Sequence, residues 1–311
     1  MNYSVVIPIY NSSTTLQRTL NSVLSQNVPP NAIILVDDRS SDLKQIKAIV
    51  SKIEICTLIE KSLKSNAAHS RNIGWEYSLD EVVFFIDSDD EWLPNHTEVY
   101  LNYFKENIEI ECVYGSFINV FTNQENTEEF IVQDYRQLNC SPSDFILKYN
   151  NDFRTSTLAL RRNVIDKVKF DDKAFKHQDW DFFFSLAGAS VVFKCSSLPT
   201  VHLNCFGNHR MSASNNLRAT LYFIDKWEAM LTNTHYSKIF KTLMLNSITR
   251  KDEIELKTIY KEFVLIRKID IALKLKWLCV IGSVTPKFTA LSVRLLRNML
   301  AHKRRLMCAV N

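Results

Sequence analysis

The stretch VVFFIDSDDEW, residues 82–92, runs five apolar residues, Val82 to Ile86, straight into the carboxylates Asp87, Asp89 and Asp90. Like charges this close repel, and a merely soluble turn would spread them or pair them with lysine. Clustered carboxylate oxygens are what hard divalent cations bind. A second apolar run, AIILVDD (32–38), also ends in two acids, Asp37 and Asp38. A third group, in KHQDWDFFF, places Asp179 and Asp181 at the start of an apolar helical pattern. A carboxylate there either serves the helix dipole or takes a proton as a general base.

These acids need elements to carry them. YSVVIPIY (3–10) reads as a buried strand, residues 11–26 as a helix with Leu16, Leu20, Val23 and Leu24 on one face, and 32–38 as a second strand. Asp42 reads as the cap of a helix through about Val50, followed by a strand at 53–60, a helix at 66–78 and a strand at 81–90. Strand and helix alternating at this spacing predict βαβ units and a mostly parallel sheet covered on both faces. Ligands of such sheets bind outside the carboxyl ends of the strands, where both acidic groups fall. Beyond Asp90 the pattern predicts a helix at 97–107, a strand at 112–121, a loop with a short strand, a strand running into a helix at 156–168, and a helix at 176–189. From Ser212 onward nearly everything reads helical, which places a boundary near residue 210.

Composition narrows the classes. With 311 residues, 46% hydrophobic, the chain can bury one large core or two smaller ones. Seven cysteines without a CxxC pair fit reduced thiols better than a disulfide framework. A strand beginning at Tyr3 leaves no room for a signal peptide, and no run reaches the roughly 20 apolar residues of a membrane span. The first of only five glycines is Gly74, so neither a P-loop nor a dinucleotide-binding GxGxxG can follow the first strand.

Taken in order, VVIPIYN, ILVDDRSSD, RNIG, FFIDSDDEW and HQDWDFFF resemble the family-2 glycosyltransferases over about residues 3–212. That resemblance implies a GT-A fold: a mostly parallel sheet flanked by helices over 1–210, with a nucleotide-sugar half to about 110 and an acceptor half at 111–210. Residues 211–311 would form a helical appendage. It further implies an inverting transfer from a nucleotide-diphosphate sugar, with a UDP-sugar favoured. Asp87-Ser88-Asp89 matches the family's D-x-D signature. By that match Asp89 is the principal ligand of Mn(II) or Mg(II), directly or through water, Asp87 faces the metal or the ribose, and Asp90 shares either role. Pro8, Tyr10, Asp37, Asp38, Arg71, Ser88 and His209 complete the expected donor set. Asp38 would accept a hydrogen bond from the base and Arg71 would face the base or the phosphates. Packing is the alternative for Tyr10 and a structural role for His209. Asp179 matches the family's base, with Asp181 as the fallback. Three departures stand out: Gln178 where Glu is usual, Arg39 where Gly is usual, and KSN in place of Asn-Gly-Gly before the RN motif.

Other classes fare worse. A sugar nucleotidyltransferase would want a glycine-rich basic loop where IPIYNSSTT stands. His202, Cys205 and His209 lack a fourth ligand for zinc. The competing reading is a catalytically degenerate nucleotide- or sugar-binding protein of the same fold. The expected acceptor is a glycan, lipid-linked or of the cell envelope, and nucleic acid is not an expected partner. The basic, apolar segment 270–311 suits contact with a membrane surface, or packing as a subdomain on the core or on a second copy. The expected location is cytoplasmic, peripheral to the inner face of the membrane.

Overall fold

The structure, a computed structural model, describes residues 1–122, 126–205, 216–250, 252–267 and 269–270. Two compact units divide the chain, Met1–His209 and Arg210–Asn311. The first opens with β1 (Tyr3–Ile9), α1 (Leu16–Leu24), β2 (Ala32–Asp37), α2 (Leu43–Val50), β3 (Cys56–Glu60), α3 (Ala67–Tyr77) and β4 (Val82–Phe85). It continues through β5 (Glu91–Trp92), α4 (His96–Glu106), β6 (Cys112–Gly115), β7 (Phe117–Thr122), β8 (Asn126–Phe130) and α5 (Tyr135–Leu138). β9 (Leu158–Arg161), α6 (Gln178–Gly188), β10 (Phe193–Ser196) and β11 (Val201–Asn204) complete it. The second unit contains α7 (Leu217–Lys226), α8 (Asn233–Arg250) and α9 (Glu253–Tyr260).

Seven strands form the main sheet in the order β10-β6-β9-β4-β1-β2-β3, all parallel to their neighbours except β9, which is antiparallel to both. β1 and β4 are buried at every position and β2 at all but its first, as strands covered on both faces must be. The order walks outward from β1 to β3 and then returns to place β4 on the other side of β1. That reversal opens a crevice at the carboxyl ends of β1 and β4. A second sheet, β5-β11-β7-β8, is built from strands interleaved in the chain with β6, β9 and β10 of the first.

Three local readings change. The strand expected over 81–90 stops at Phe85, and Asp87 to Asp90 form a turn closed by Asp90 N–H on the Asp87 carbonyl at 3.1 Å. The single strand expected at 112–121 is two, split at Ser116 and assigned to different sheets. The change of partner falls at Ser116: its N–H donates to the Ser196 carbonyl of β10 at 2.9 Å, the last bond of the first sheet, and its hydroxyl accepts from Val132 N at 2.9 Å. Asp42 is the N-cap residue of α2 as expected, but its carboxylate makes no capping bond and accepts instead from Ser13 N at 2.8 Å. The five cysteines among the described residues are free. No helix among the described residues is long and apolar enough to cross a membrane. Apart from Asp270, the segment 270–311 lies outside the described residues.

Behind the crevice, His96 is buried in an aromatic cluster, its ring 4.6 Å from Trp92 and 4.3 Å from Tyr100, with Nδ1 on the Thr200 hydroxyl. Burial pushes its pKa down from the ordinary 6.5 to about 3. Unfolded chains bind a proton there below pH 6.5 and the folded one does not, so stability falls as pH falls from about 6.5 toward 3. Between pH 7 and 5 this amounts to about 2 kcal/mol. Urea unfolding at both pH values should show the native protein losing about that much more than His96→Phe. Equal losses in the two proteins would contradict it.

Candidate active site

The acidic loop is held from both sides by its main chain. Arg18 of α1 and Asn204 of β11 donate to the Asp89 carbonyl, and Thr19 donates to the Asp90 carbonyl at 2.8 Å. Because β9 runs antiparallel to β4 with Phe85 opposite Leu158, the residues just before Leu158 lie beside those just after Phe85. Ser156 therefore meets the loop: its hydroxyl accepts from Asp87 N at 3.1 Å and donates to Asp90 Oδ2 at 2.6 Å. The other oxygen of Asp90 accepts from Asn204 N at 3.0 Å. Asp90 is 8% exposed; burial first, then Asp89 and Asp87, push its pKa well above the ordinary carboxylate value. Asp87, by contrast, keeps a side chain 39% exposed. Asp89 and Ser88 are half-buried.

Arg71 joins this loop to α6. α3 lies tight on the sheet because residue 74 is glycine; a Cβ there would stand 2.5 Å from Val6 Cγ1. Trp75 of α3 packs edge-on against Phe182 of α6, with ring centroids 6.1 Å apart. One turn back on each helix stand Arg71 and Gln178, on the same faces as those rings. Arg71 Nη1 donates to Gln178 Oε1 at 3.0 Å and Nη2 to Asp87 Oδ1 at 2.6 Å. Burial opposes the charge on Arg71, but Asp87, Asp179 and Asp90 outweigh it, so the guanidinium pKa is raised.

Asp179 occupies the first turn of α6 and accepts a hydrogen bond from the Thr155 hydroxyl. Burial raises its pKa above the ordinary carboxylate value, and Arg71 and Arg154 offset part of that rise. Arg154 is itself paired to Asp152 at 2.7 Å, and Asp152 also accepts from Trp180 Nε1. Asp181 is buried on the inner side of the helix.

At the next strand ends, Asp37 closes its own turn by accepting from Ser40 N at 3.1 Å. Asp38 is buried against Lys61 Nζ at 2.8 Å and accepts from Ser65 N at 2.7 Å. Tyr10 is 47% exposed, with Lys64 Nζ 3.7 Å above its ring. Pro8 is buried within β1 opposite Val36. Arg39 has φ 65°, the left-handed region in which glycine is at ease. His209, and with it Ser212, lies outside the described residues.

The structure thus brings Arg71, Asp87, Asp90 and Asp179 into one site, with Asp37, Asp38 and Tyr10 at the neighbouring strand ends. Sequence reasoning passed over Lys61, Arg154, Thr155, Ser156 and Asn204. A polar TST run ahead of an apolar strand was the only trace of two of them.

An open α/β sheet with an acidic loop at its reversal point, tied by a buried arginine to a carboxylate-bearing helix, is the build of a GT-A sugar transferase. The crystal structure of S. aureus TarS 1-349 in complex with UDP-GlcNAc has this fold, at TM-score 0.64 and 16% identity over 96% of this chain and 92% of that one. The family model "Glycosyl transferase family 2" matches residues 4–169, more than half of the chain, which therefore belongs to that family and is a glycosyltransferase. Similar proteins include the amylovoran biosynthesis glycosyltransferase AmsB of Erwinia amylovora, 26% identical over 249 residues, 75% of this chain and 79% of the relative. Another is the UDP-Glc:alpha-D-GlcNAc-diphosphoundecaprenol beta-1,3-glucosyltransferase WfgD of Escherichia coli, 27% identical over 128 residues, 41% of this chain and 50% of the relative.

Proposed function

We propose that this glycosyltransferase moves a sugar from a nucleotide-diphosphate donor, a UDP-sugar by preference, to a lipid-linked or cell-envelope glycan, by direct displacement with inversion. The observation that carries the reading is the Arg71 bridge, which sets the loop that would meet the diphosphate beside the helix that would meet the acceptor. The relatives' names support the substrate classes: one uses UDP-Glc with a diphosphoundecaprenol-linked acceptor, and another serves the biosynthesis of amylovoran.

Each group has a part. Asp179 takes the proton of the acceptor hydroxyl, oriented by Thr155 and flanked by the positive charges of Arg71 and Arg154. Asp38, fixed by Lys61 and Ser65, faces the base, with Tyr10 as its aromatic neighbour. Asp90 braces the loop from within. Asp89 and Asp87 are the oxygen donors suited to Mn(II) or Mg(II). Among the described residues no three His, Cys, Asp or Glu side chains group around a metal position. The fit is therefore to an ion that takes its remaining ligands from phosphate oxygens and water. When bound, such an ion supplies Lewis-acid stabilisation of the departing diphosphate.

Calorimetric titration of UDP, GDP and dTDP, each with and without Mn(II), tests the reading. One nucleotide should bind, and with metal dependence. If none binds, the donor site is not there and the reading falls.

A further inference from the structure

Gln178 is buried at the first position of α6, and its amide is committed at both ends. Nε2 donates to the Ala174 carbonyl at 2.6 Å, which leaves the acceptor oxygen Oε1 for Arg71 Nη1 at 3.0 Å. Arg71 is 4% exposed and keeps its charge at any ordinary pH. Its guanidinium lies between a neutral oxygen on α6 and the Asp87 carboxylate on the acidic loop. An Arg fork divides its interaction among the acceptors it meets, and a carboxylate is a far stronger partner than an amide. Asp179 and Asp90 also draw on that charge, and what stands at position 178 shifts how much of the remainder is spent on Asp87.

We propose that Gln178 is a positioning residue for the donor half of the site. By meeting Arg71 with a neutral oxygen, it leaves the guanidinium charge on Asp87 and so limits the negative charge that the D-S-D carboxylates offer a divalent cation. The inference rests on the donor and metal reading above. It goes beyond it in tying metal affinity to a residue on the acceptor helix that would touch neither metal nor nucleotide. A carboxylate at position 178 would neutralise Arg71 from the far side and return Asp87 to the cation. An apolar side chain there would take away the neutral partner of Nη1 and leave Arg71 to the carboxylates, Asp87 foremost, then Asp179 and Asp90.

The two substitutions carry opposite signs. Calorimetry at fixed pH would measure the Mn(II) dependence of binding for whichever of UDP, GDP and dTDP the native protein takes, using the full chain. Gln178→Glu should strengthen that dependence on the order of tenfold. Gln178→Met should weaken it by about threefold or more. A packing role alone would lower the unfolding midpoint of both variants and leave the Mn(II) dependence unmoved. A Gln178→Glu protein within about twofold of the native one overturns the proposal. Gln178→Glu keeps the native volume but sets an oxygen where Nε2 donates to the Ala174 carbonyl, and a protonated carboxyl would mimic the native amide. The comparison with native is therefore repeated about two pH units higher, where the ionised form must show the gain, and it decides the matter even if Gln178→Met fails to fold. If the native protein takes no nucleotide with or without Mn(II), the donor reading and this inference fall together. If the native protein binds and the variants match it, this inference alone is lost.

Discussion

Replacing Asp179 with asparagine should lower sugar transfer on the order of 10³-fold while nucleotide binding stays within about twofold of native. Asn keeps the shape, and its carbonyl still accepts from the Thr155 hydroxyl. What it loses is the capacity to take a proton from the acceptor. The site around Asp179 suits that task, since burial raises its pKa while Arg71 and Arg154 keep the rise in check. Activity of the native enzyme should accordingly fall with decreasing pH through an apparent pKa above the ordinary 3.8 of an aspartate. Turnover numbers measured beside calorimetric affinities separate the cases. A variant that retains more than about a tenth of native transfer would remove Asp179 from the base role. A native protein that binds donor but turns nothing over would be the degenerate binder.

The second large effect should come from Asp89→Ala. Arg18 and Asn204 hold residue 89 by its carbonyl, so the loop keeps its anchors when the carboxylate is removed. Folding should change little, whereas Mn(II)-dependent nucleotide binding should be lost and turnover should drop about 10²–10³-fold, the scale of Lewis-acid stabilisation. Its neighbour makes the contrast. Asp90→Ala would strip a buried hydrogen-bonded carboxylate from Ser156 and Asn204 N, and should cost about 1–3 kcal/mol of stability. Unfolding curves and metal-dependent binding, run on both variants, should sort the two acids into ligand and brace. Mn(II)-dependent binding that survives in Asp89→Ala would show that the ion is held elsewhere.

Much of this is legible in the sequence. The alternation of β1 to β4 with α1 to α3 follows from apolar periods that lie within a few residues of one another. The placement of acids at strand ends follows from the same local pattern. The fate of each acid was not legible. Asp87, Asp89 and Asp90 are alike in type and adjacent in the chain, yet one is half-exposed and paired to Arg71, and another is buried against Ser156. Arg39 adds a backbone example: the sequence shows only an arginine where glycine is usual, and the structure shows it at φ 65°, in the left-handed region that favours glycine.

Hydrophobic period and strand-end chemistry are local properties, so the parallel α/β build, the acids at the strand ends and the carboxylate opening α6 follow from the chain's own pattern. Which side chains meet there is a matter of packing. Arg71 finds Gln178 across 107 positions of chain, and Ser156 finds Asp90 across 66. Those meetings depend on the antiparallel placement of β9 and on the packing of Trp75 against Phe182. A hydrogen bond is selected by a geometry of a few tenths of an ångström, and no pattern within a single helix or strand encodes that across such separations.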